Sequence, residues 1–186
     1  YLPTVSRPSD GSQTNPFYYV YGYQGTSVSE AKATGNYQTY GVLYNWPASL
    51  NVCPAGWHLP TDAEWTTFEN YLITNGYNYD GSTTDNKVGK SLANHFGWST
   101  SSVTGAVGNI DYPEKRNATG FSALPGGRRF VTYGSFDDIG SNGRWWSANE
   151  YSPENAWCRD LSSISIYLYR FHFEKDTGFS VRCIKD

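Results

Sequence analysis

The spacing of apolar residues changes period several times along the chain. Over LPTDAEWTTFENYLITNG, Trp65, Phe68, Tyr71 and Leu72 recur at three- and four-residue intervals, the period of one helix face. Thr61 stands where a capping oxygen is needed, Glu64 can reach back to the cap N–H, and Asn75-Gly76 supplies a stop, so the spacing predicts a helix over 61–74. A weaker helix is expected over 85–95, where Val88 and Leu92 lie four apart and Gly89 interrupts the run. Residues 17–23 and 40–46 read as strands. Near the C-terminus, SISIYLYRFHF (163–173) and GFSVRCI (178–184) read as two antiparallel strands joined by EKDT. In the first of them Ile164, Ile166, Leu168, Arg170 and His172 share one parity, which its apolar start turns inward. Ser163, Ser165, Tyr167, Tyr169, Phe171 and Phe173 share the other, which is left outward. Residues 1–16, with three Pro and few apolar side chains, read as a linker or domain edge, and 17–186 as a single domain. Strand, two helices, an irregular Gly/Trp-rich stretch and then strands, without βαβ alternation, is an α+β order.

Composition narrows the function more than the fold. With 186 residues, 38% of them hydrophobic, the chain fits one domain around one core. Its 14 Lys+Arg against 17 Asp+Glu leave a formal charge of −3, which gives no footprint for nucleic acid or an anionic membrane surface. No apolar run approaches the roughly 20 residues of a membrane span, so no direct membrane insertion is expected in this segment. The absence of Met suggests a removed initiator or a piece of a longer anchored chain. Three Cys fit one disulfide and one leftover thiol, and their isolation in a Tyr-, Asn- and Ser-rich chain suggests an oxidising, extracellular setting. Aromatic residues make 17% of the chain, as much as its whole charged fraction.

The chain carries few signatures of chemistry. His58, His95 and His172 are far apart and no CxxC or HExxH occurs, so no metal site is assigned. Asp137-Asp138 and Asn149-Glu150 could face a calcium ion, although turn formation is the simpler reading. Gly126-Gly127 lacks the Lys-Ser/Thr of a phosphate loop, and no GxSxG is present. Cys158 reads as a small, partly buried side chain, and Asn117-Ala118-Thr119 as a turn that doubles as a glycosylation sequon. A carboxylate pair drawn from Asp62, Glu64, Glu150 and Glu154 keeps a hydrolase as an alternative, though Glu64 already serves the cap. No catalytic residue and no cofactor is assigned. Trp46, Trp57, Trp65 and Trp98 sit in apolar patterns and are expected in the core. Between Arg128 and Phe173, by contrast, Tyr, Trp and Arg mix with Ser and Asn, the composition of a recognition surface. The candidate ligand-binding residues are Tyr133, Arg144, Asn149, Tyr151, Trp157, Cys158, Asp160, Ser163, Ser165, Tyr167, Tyr169, Phe171, His172 and Phe173, offered to a protein or glycan on another cell or surface.

The segments YGVLYNWPA (40–48), CPAGWHLPTDAEW (53–65), GFSALPGGRR (120–129), GRWWSANE (143–150), NAWCRDL (155–161) and GFSVRCIKD (178–186) resemble the Fibrobacter succinogenes major paralogous domain family, found in exported proteins and lipoproteins of Bacteroidetes-type bacteria. The resemblance implies a C-type lectin-like α+β domain with two helices, a twisted antiparallel sheet and long Gly/Trp-rich loops. It also implies a Cys53–Cys183 bridge, which leaves Cys158 unpaired. The calcium-binding sugar motifs of true C-type lectins have no match, and neither does the reactive cysteine pair of formylglycine-generating enzymes. Members of this family can serve as variable proteins of diversity-generating retroelements, and the C-terminal block resembles one: between the framework words WWSA, NAW and GFSVRC, the residues Tyr151, Cys158, Asp160, Ser162, Ser163, Ser165, Tyr167, Tyr169, Phe171, His172 and Phe173 are mostly types that a randomised AAC codon gives. In such a protein Cys158, in an exposed slot, would be a random draw. The expected function is a non-enzymatic, adhesin- or receptor-like domain on a bacterial surface. The alternatives are a carbohydrate-active enzyme, with Glu150 and Glu154 as its first candidates, and a purely structural module of a surface assembly.

Overall fold

The computed structural model describes residues 1–130 and 134–186. In chain order the elements are β1 (Tyr18–Tyr19), α1 (Val28–Ala33), α2 (Gly35–Tyr40), β2 (Leu43–Tyr44), α3 (Trp46–Ser49), β3 (Trp57–His58), α4 (Asp62–Thr74), α5 (Gly89–Leu92), β4 (Gly126–Arg129), β5 (Phe136–Ile139), β6 (Asn142–Glu150), β7 (Asn155–Ser162), β8 (Leu168–Glu174) and β9 (Ile184–Lys185). Every named pairing is antiparallel: β1 with β2, β3 with β9, β4 with β5, and β6–β7–β8 as a three-stranded sheet. The chain is therefore mixed α and β, with few helices and antiparallel sheets. No helix among the described residues is long and apolar enough to cross a membrane.

α4 forms as its sequence requires. The Thr61 hydroxyl accepts the Glu64 N–H, the Glu64 carboxylate accepts the Thr61 N–H, and the chain leaves through Asn75 and Gly76. Trp65 and Leu72 pack against Val88, Leu92, Val107, Trp145, Leu161 and Leu168, while Tyr71, expected on the same face, is exposed. The helix expected over 85–95 shrinks to the single turn of α5. Here Gly89 is needed for a close approach: its N–H donates to the Ile166 carbonyl at 2.9 Å, and a Cβ would lie 2.9 Å from that same oxygen. The Gly126-Gly127 pair likewise serves β4, where Gly127 has φ +67° and a Cβ would meet the Asp137 carbonyl at 2.3 Å.

The expected pairing of 163–173 with 178–184 does not form. β8 begins at Leu168 and pairs with β7, setting Tyr169 opposite Asp160 and Phe171 opposite Cys158. Residues 163–167 are a turn whose backbone is consumed elsewhere: Ser163 donates to Ser141, Gly108 to Ser163, and Val107 to Ser165. Over 163–165 the expected parity therefore inverts, with Ser163 and Ser165 buried and Ile164 exposed, whereas further on Leu168 is buried and Tyr167 and Phe171 are exposed, as that parity has them. Phe179 exchanges backbone bonds with Tyr44, Ser180 donates to Arg144, and β9 joins β3.

The three-stranded sheet is covered on both faces. Trp145, Leu161 and Leu168 face α4, whereas Trp146, Ala156, Cys158 and Phe173 pack with Trp46, Leu59 and Phe179. Among the expected core tryptophans, Trp46 and Trp65 are buried and Trp98 packs partly against the α4 cluster. Trp57 is exposed, on the two-residue strand β3, where Lys185 is its partner across the pair. Residues 1–16 lie against the body, with Leu2 and Val5 buried beside Tyr18 and Tyr44. The buried Arg129 guanidinium donates to the carbonyls of Pro8, Asp10 and Asp176 and stacks on Tyr19.

Candidate ligand-binding face

At the start of β8 three aromatic side chains line up. The rings of Tyr167 and Tyr169 are 5.5 Å apart, and those of Tyr169 and Phe171 are 5.4 Å apart with an interplanar angle of 26°. Tyr167 and Phe171 are 41% and 44% exposed, large values for rings of this size in a row. Tyr169, half-buried between them, is fixed by its hydroxyl, which accepts a hydrogen bond from Ser165 Oγ at 3.0 Å; the same Oγ accepts the Tyr167 N–H at 3.1 Å. Beside this ridge lies a hollow of about 370 Å³ lined by Val103, Ile164, Ile166, Tyr167 and Tyr169 among others. The ridge thus offers apolar area on rings that are already ordered, next to a recess that can take a further apolar group.

A second cluster occupies the opposite face of the sheet. Tyr151 stacks on His172 at 3.8 Å between centroids, and Trp157 meets Tyr151 edge-on at 4.8 Å. The Arg170 guanidinium lies 3.3 Å from the centre of the Trp157 ring and bonds both Asp62 carboxylate oxygens. The buried Arg159 donates to Asp62 as well, at 2.8 Å. Burial alone would raise the pKa of Asp62, but the hydrogen bonds and charges of the two guanidiniums hold it below the ordinary carboxylate value. Asn149 is drawn into the same node, since its Oδ1 accepts the Asp62 N–H.

The other sequence candidates lie inside. Cys158 is fully buried, not in an exposed slot, and burial pushes its thiol pKa far up, which makes it unreactive in the folded chain. Asp160, raised in pKa by burial, accepts from Arg144 and Asn142, and Arg144 also bonds Asp138 at 2.7 Å. Arg144, Asp160, Ser163 and Ser165 therefore hold the sheet and its turn together and present almost no surface. Phe173 is half-buried, with its ring 5.2 Å from that of Phe179. Tyr133 lies outside the described residues. The two loops considered for calcium face cations instead: Asp138 faces Arg128 and Arg144, and Glu150 accepts from Lys175 at 2.7 Å. Among the described residues no group of three or more His, Cys, Asp or Glu side chains is arranged to hold a metal ion. Sequence reasoning missed Arg170, Ile164 and Ile166, all assigned to the inward parity, and also Val103. The Ser/Ile alternation was the available signal for the isoleucines, but it carries no information on which parity faces water.

The family model described as the Fibrobacter succinogenes major domain matches residues 4–185. The chain belongs to that family. No curated protein and no solved structure matches it. In this Fibrobacter succinogenes major domain the Cys53–Cys183 bridge implied by the sequence resemblance is present, tying the segment before β3 to the one before β9. A larger hollow, about 610 Å³, lies beside that bridge between α4 and residues 182–184. Part of its wall is already occupied internally: the Arg182 guanidinium stacks on Phe121 at 4.6 Å and donates to the Phe121 carbonyl. The domain therefore has a stapled side around α4 and β9, and an aromatic side around β8.

Proposed function

We propose that this domain is a non-enzymatic ligand-binding module on the outside of a bacterial cell, with the Tyr167–Tyr169–Phe171 ridge as its contact surface for a protein or glycan. The observation that carries the reading is the ridge itself: three adjacent rings, two of them substantially exposed, the middle one fixed by Ser165, on a sheet that is packed on both faces. A covered ring contributes on the order of 1–2 kcal/mol, so the ridge together with the neighbouring hollow supports binding in roughly the micromolar range. The disulfide supports an oxidising compartment. The carboxylates first considered for hydrolysis are mostly engaged in structure, Glu64 in the cap of α4, Glu150 with Lys175 and Asp62 with two arginines, which favours binding over turnover.

A C-type lectin-like fold is part of the proposal. It is supported by the sequence resemblance and by a bridge that joins the approach to α4 to the C-terminal segment. Retroelement diversification is proposed only for the exposed members of the candidate set, Tyr151, Tyr167, Phe171 and His172, where replacement leaves the core untouched. It requires a reverse transcriptase gene nearby and a repeat that differs from this gene's 3′ end only at adenines. A locus lacking both removes that part of the reading.

The binding test uses an array of glycans and peptides probed with the wild-type domain and with Tyr167→Ala/Phe171→Ala. Any ligand bound by the wild type is expected to lose about tenfold or more in affinity, some 1.4 kcal/mol or greater, at an unchanged unfolding midpoint. Equal affinity in the two proteins contradicts the assignment.

A further inference from the structure

β8 is the outer strand of its sheet, and its free edge has a definite polarity. The Leu168 N–H and C=O both turn away from β7, because Asn86 bonds the two of them with its side-chain amide, at 3.2 and 2.7 Å. Backbone groups alternate sides along an antiparallel strand. Arg170 and His172 therefore also point their N–H and C=O outward, while Tyr169, Phe171 and Phe173 bond β7. The far side of the sheet gives the same phase independently: Ser180 donates to Arg144 and accepts from Trp146, so those two residues of β6 face away from β7. Carried across the register of β6, β7 and β8, this again turns Arg170 and His172 outward. Among the described residues nothing bonds those four backbone groups.

The window is bounded at both ends. Asn86 closes it at Leu168, and the Thr177 N–H takes the Glu174 carbonyl at 2.9 Å. Two donor–acceptor pairs remain, two residues apart, or roughly 7 Å along a strand. Edge strands are commonly blunted by charge, bulges or cover. Between its covered ends this one is not: the charge of Arg170 is neutralised by Asp62, and the neighbouring Phe171 and His172 are exposed.

We propose that the ligand of this domain is an extended segment of a partner protein, which adds to β8 as a further strand. The inference rests on the ridge reading and deepens it. Four backbone bonds at strand spacing fit a polypeptide and do not fit a sugar ring or a lipid chain. Alternate side chains of the added strand fall on the ridge face beside Tyr169 and Phe171, so apolar residues at every second position are selected there.

The probe is a peptide selected on the wild-type domain from a displayed library of random linear peptides. Single N-methylation along that peptide is expected to weaken binding at every second residue and to leave the intervening positions unaffected. In the wild-type domain the amides of Arg170 and His172 exchange with solvent quickly when free and slow by about tenfold or more with peptide bound. His172→Pro removes an outward N–H from an edge strand, where proline is tolerated, and is expected to abolish peptide binding. The exchange measurement and the N-methyl scan decide the matter even if this variant fails to fold. Selection of no peptide, an N-methyl scan without a period of two, or unchanged exchange at Arg170 and His172 each overturns the inference. Self-association of the wild type that His172→Pro removes overturns it too, since a second copy would then occupy the edge. If His172→Pro still binds while Tyr167→Ala/Phe171→Ala does not, the edge is wrong and the ridge stands. Undiminished binding in both removes the ridge as well.

Discussion

His58 is bonded at both ring nitrogens, Nδ1 to Asp186 at 2.6 Å and Nε2 to Glu64 at 2.9 Å, and Glu64 is also the residue that caps α4. The hydrogen bond to Asp186, followed by that to Glu64, raises the pKa of His58 above its ordinary 6.5. A raised folded-state pKa means that the protonated form is the stabilising one. Its contribution is complete below pH 6.5 and is lost as the pH rises through the folded value. Relative to His58→Gln, the wild type is therefore expected to be more stable in mildly acidic buffer and to lose that advantage in alkaline buffer, as read from urea unfolding of both proteins across pH. A difference that stays constant, or grows with pH, contradicts the assignment. Such nodes were only half legible in the sequence. Thr61 and Glu64 announce a cap because their partners are three residues apart, but Asp186 reaches His58 across 128 positions and no local pattern encodes that contact. The same holds for Arg159, whose partners Asp62 and Thr66 lie on α4.

α4 was readable at the level of elements because capping, period and stop coincide within one short segment. The C-terminal strands were not, although their alternation was plain. In SISIYLYRFHF the first residues alternate like a strand, yet they exchange backbone bonds with Ser141, Gly108, Val107 and Gly89, all of them far away in the chain. The strand accordingly starts at Leu168 and pairs backward with β7. Gly89 could be read as a helix breaker, but its close approach to Ile166 could not. The Cys53–Cys183 bridge, implied by the family resemblance, spans 130 residues, and in the chain-entropy model a loop of that size contributes about 5 kcal/mol. Replacing both cysteines by alanine is expected to lower the unfolding free energy by several kcal/mol toward that bound, measured in urea. A loss below about 1 kcal/mol would show that the bridge locks an already constrained chain.

In the whole molecule a stapled framework is distinct from the face proposed to take a ligand. The surplus of aromatic residues divides accordingly: Trp46, Trp65, Trp145 and Trp146 fill the cores, while Tyr167, Phe171, Tyr151 and His172 stay at the surface around one edge strand. Composition pointed to the second group, but burial removed Cys158, Asp160, Ser163 and Ser165 from it. Of the two hollows, the larger lies against the bridge and the smaller beside the ridge, so volume and aromatic exposure favour different sites. The most direct discrimination is an NMR chemical-shift map of the folded domain titrated with a ligand taken from the array. The expected result is perturbation concentrated on residues 164–173 with Val103 and Thr104. Perturbation centred instead on Trp65, Phe68, Tyr71 and residues 182–184, with the ridge silent, would contradict the central claim.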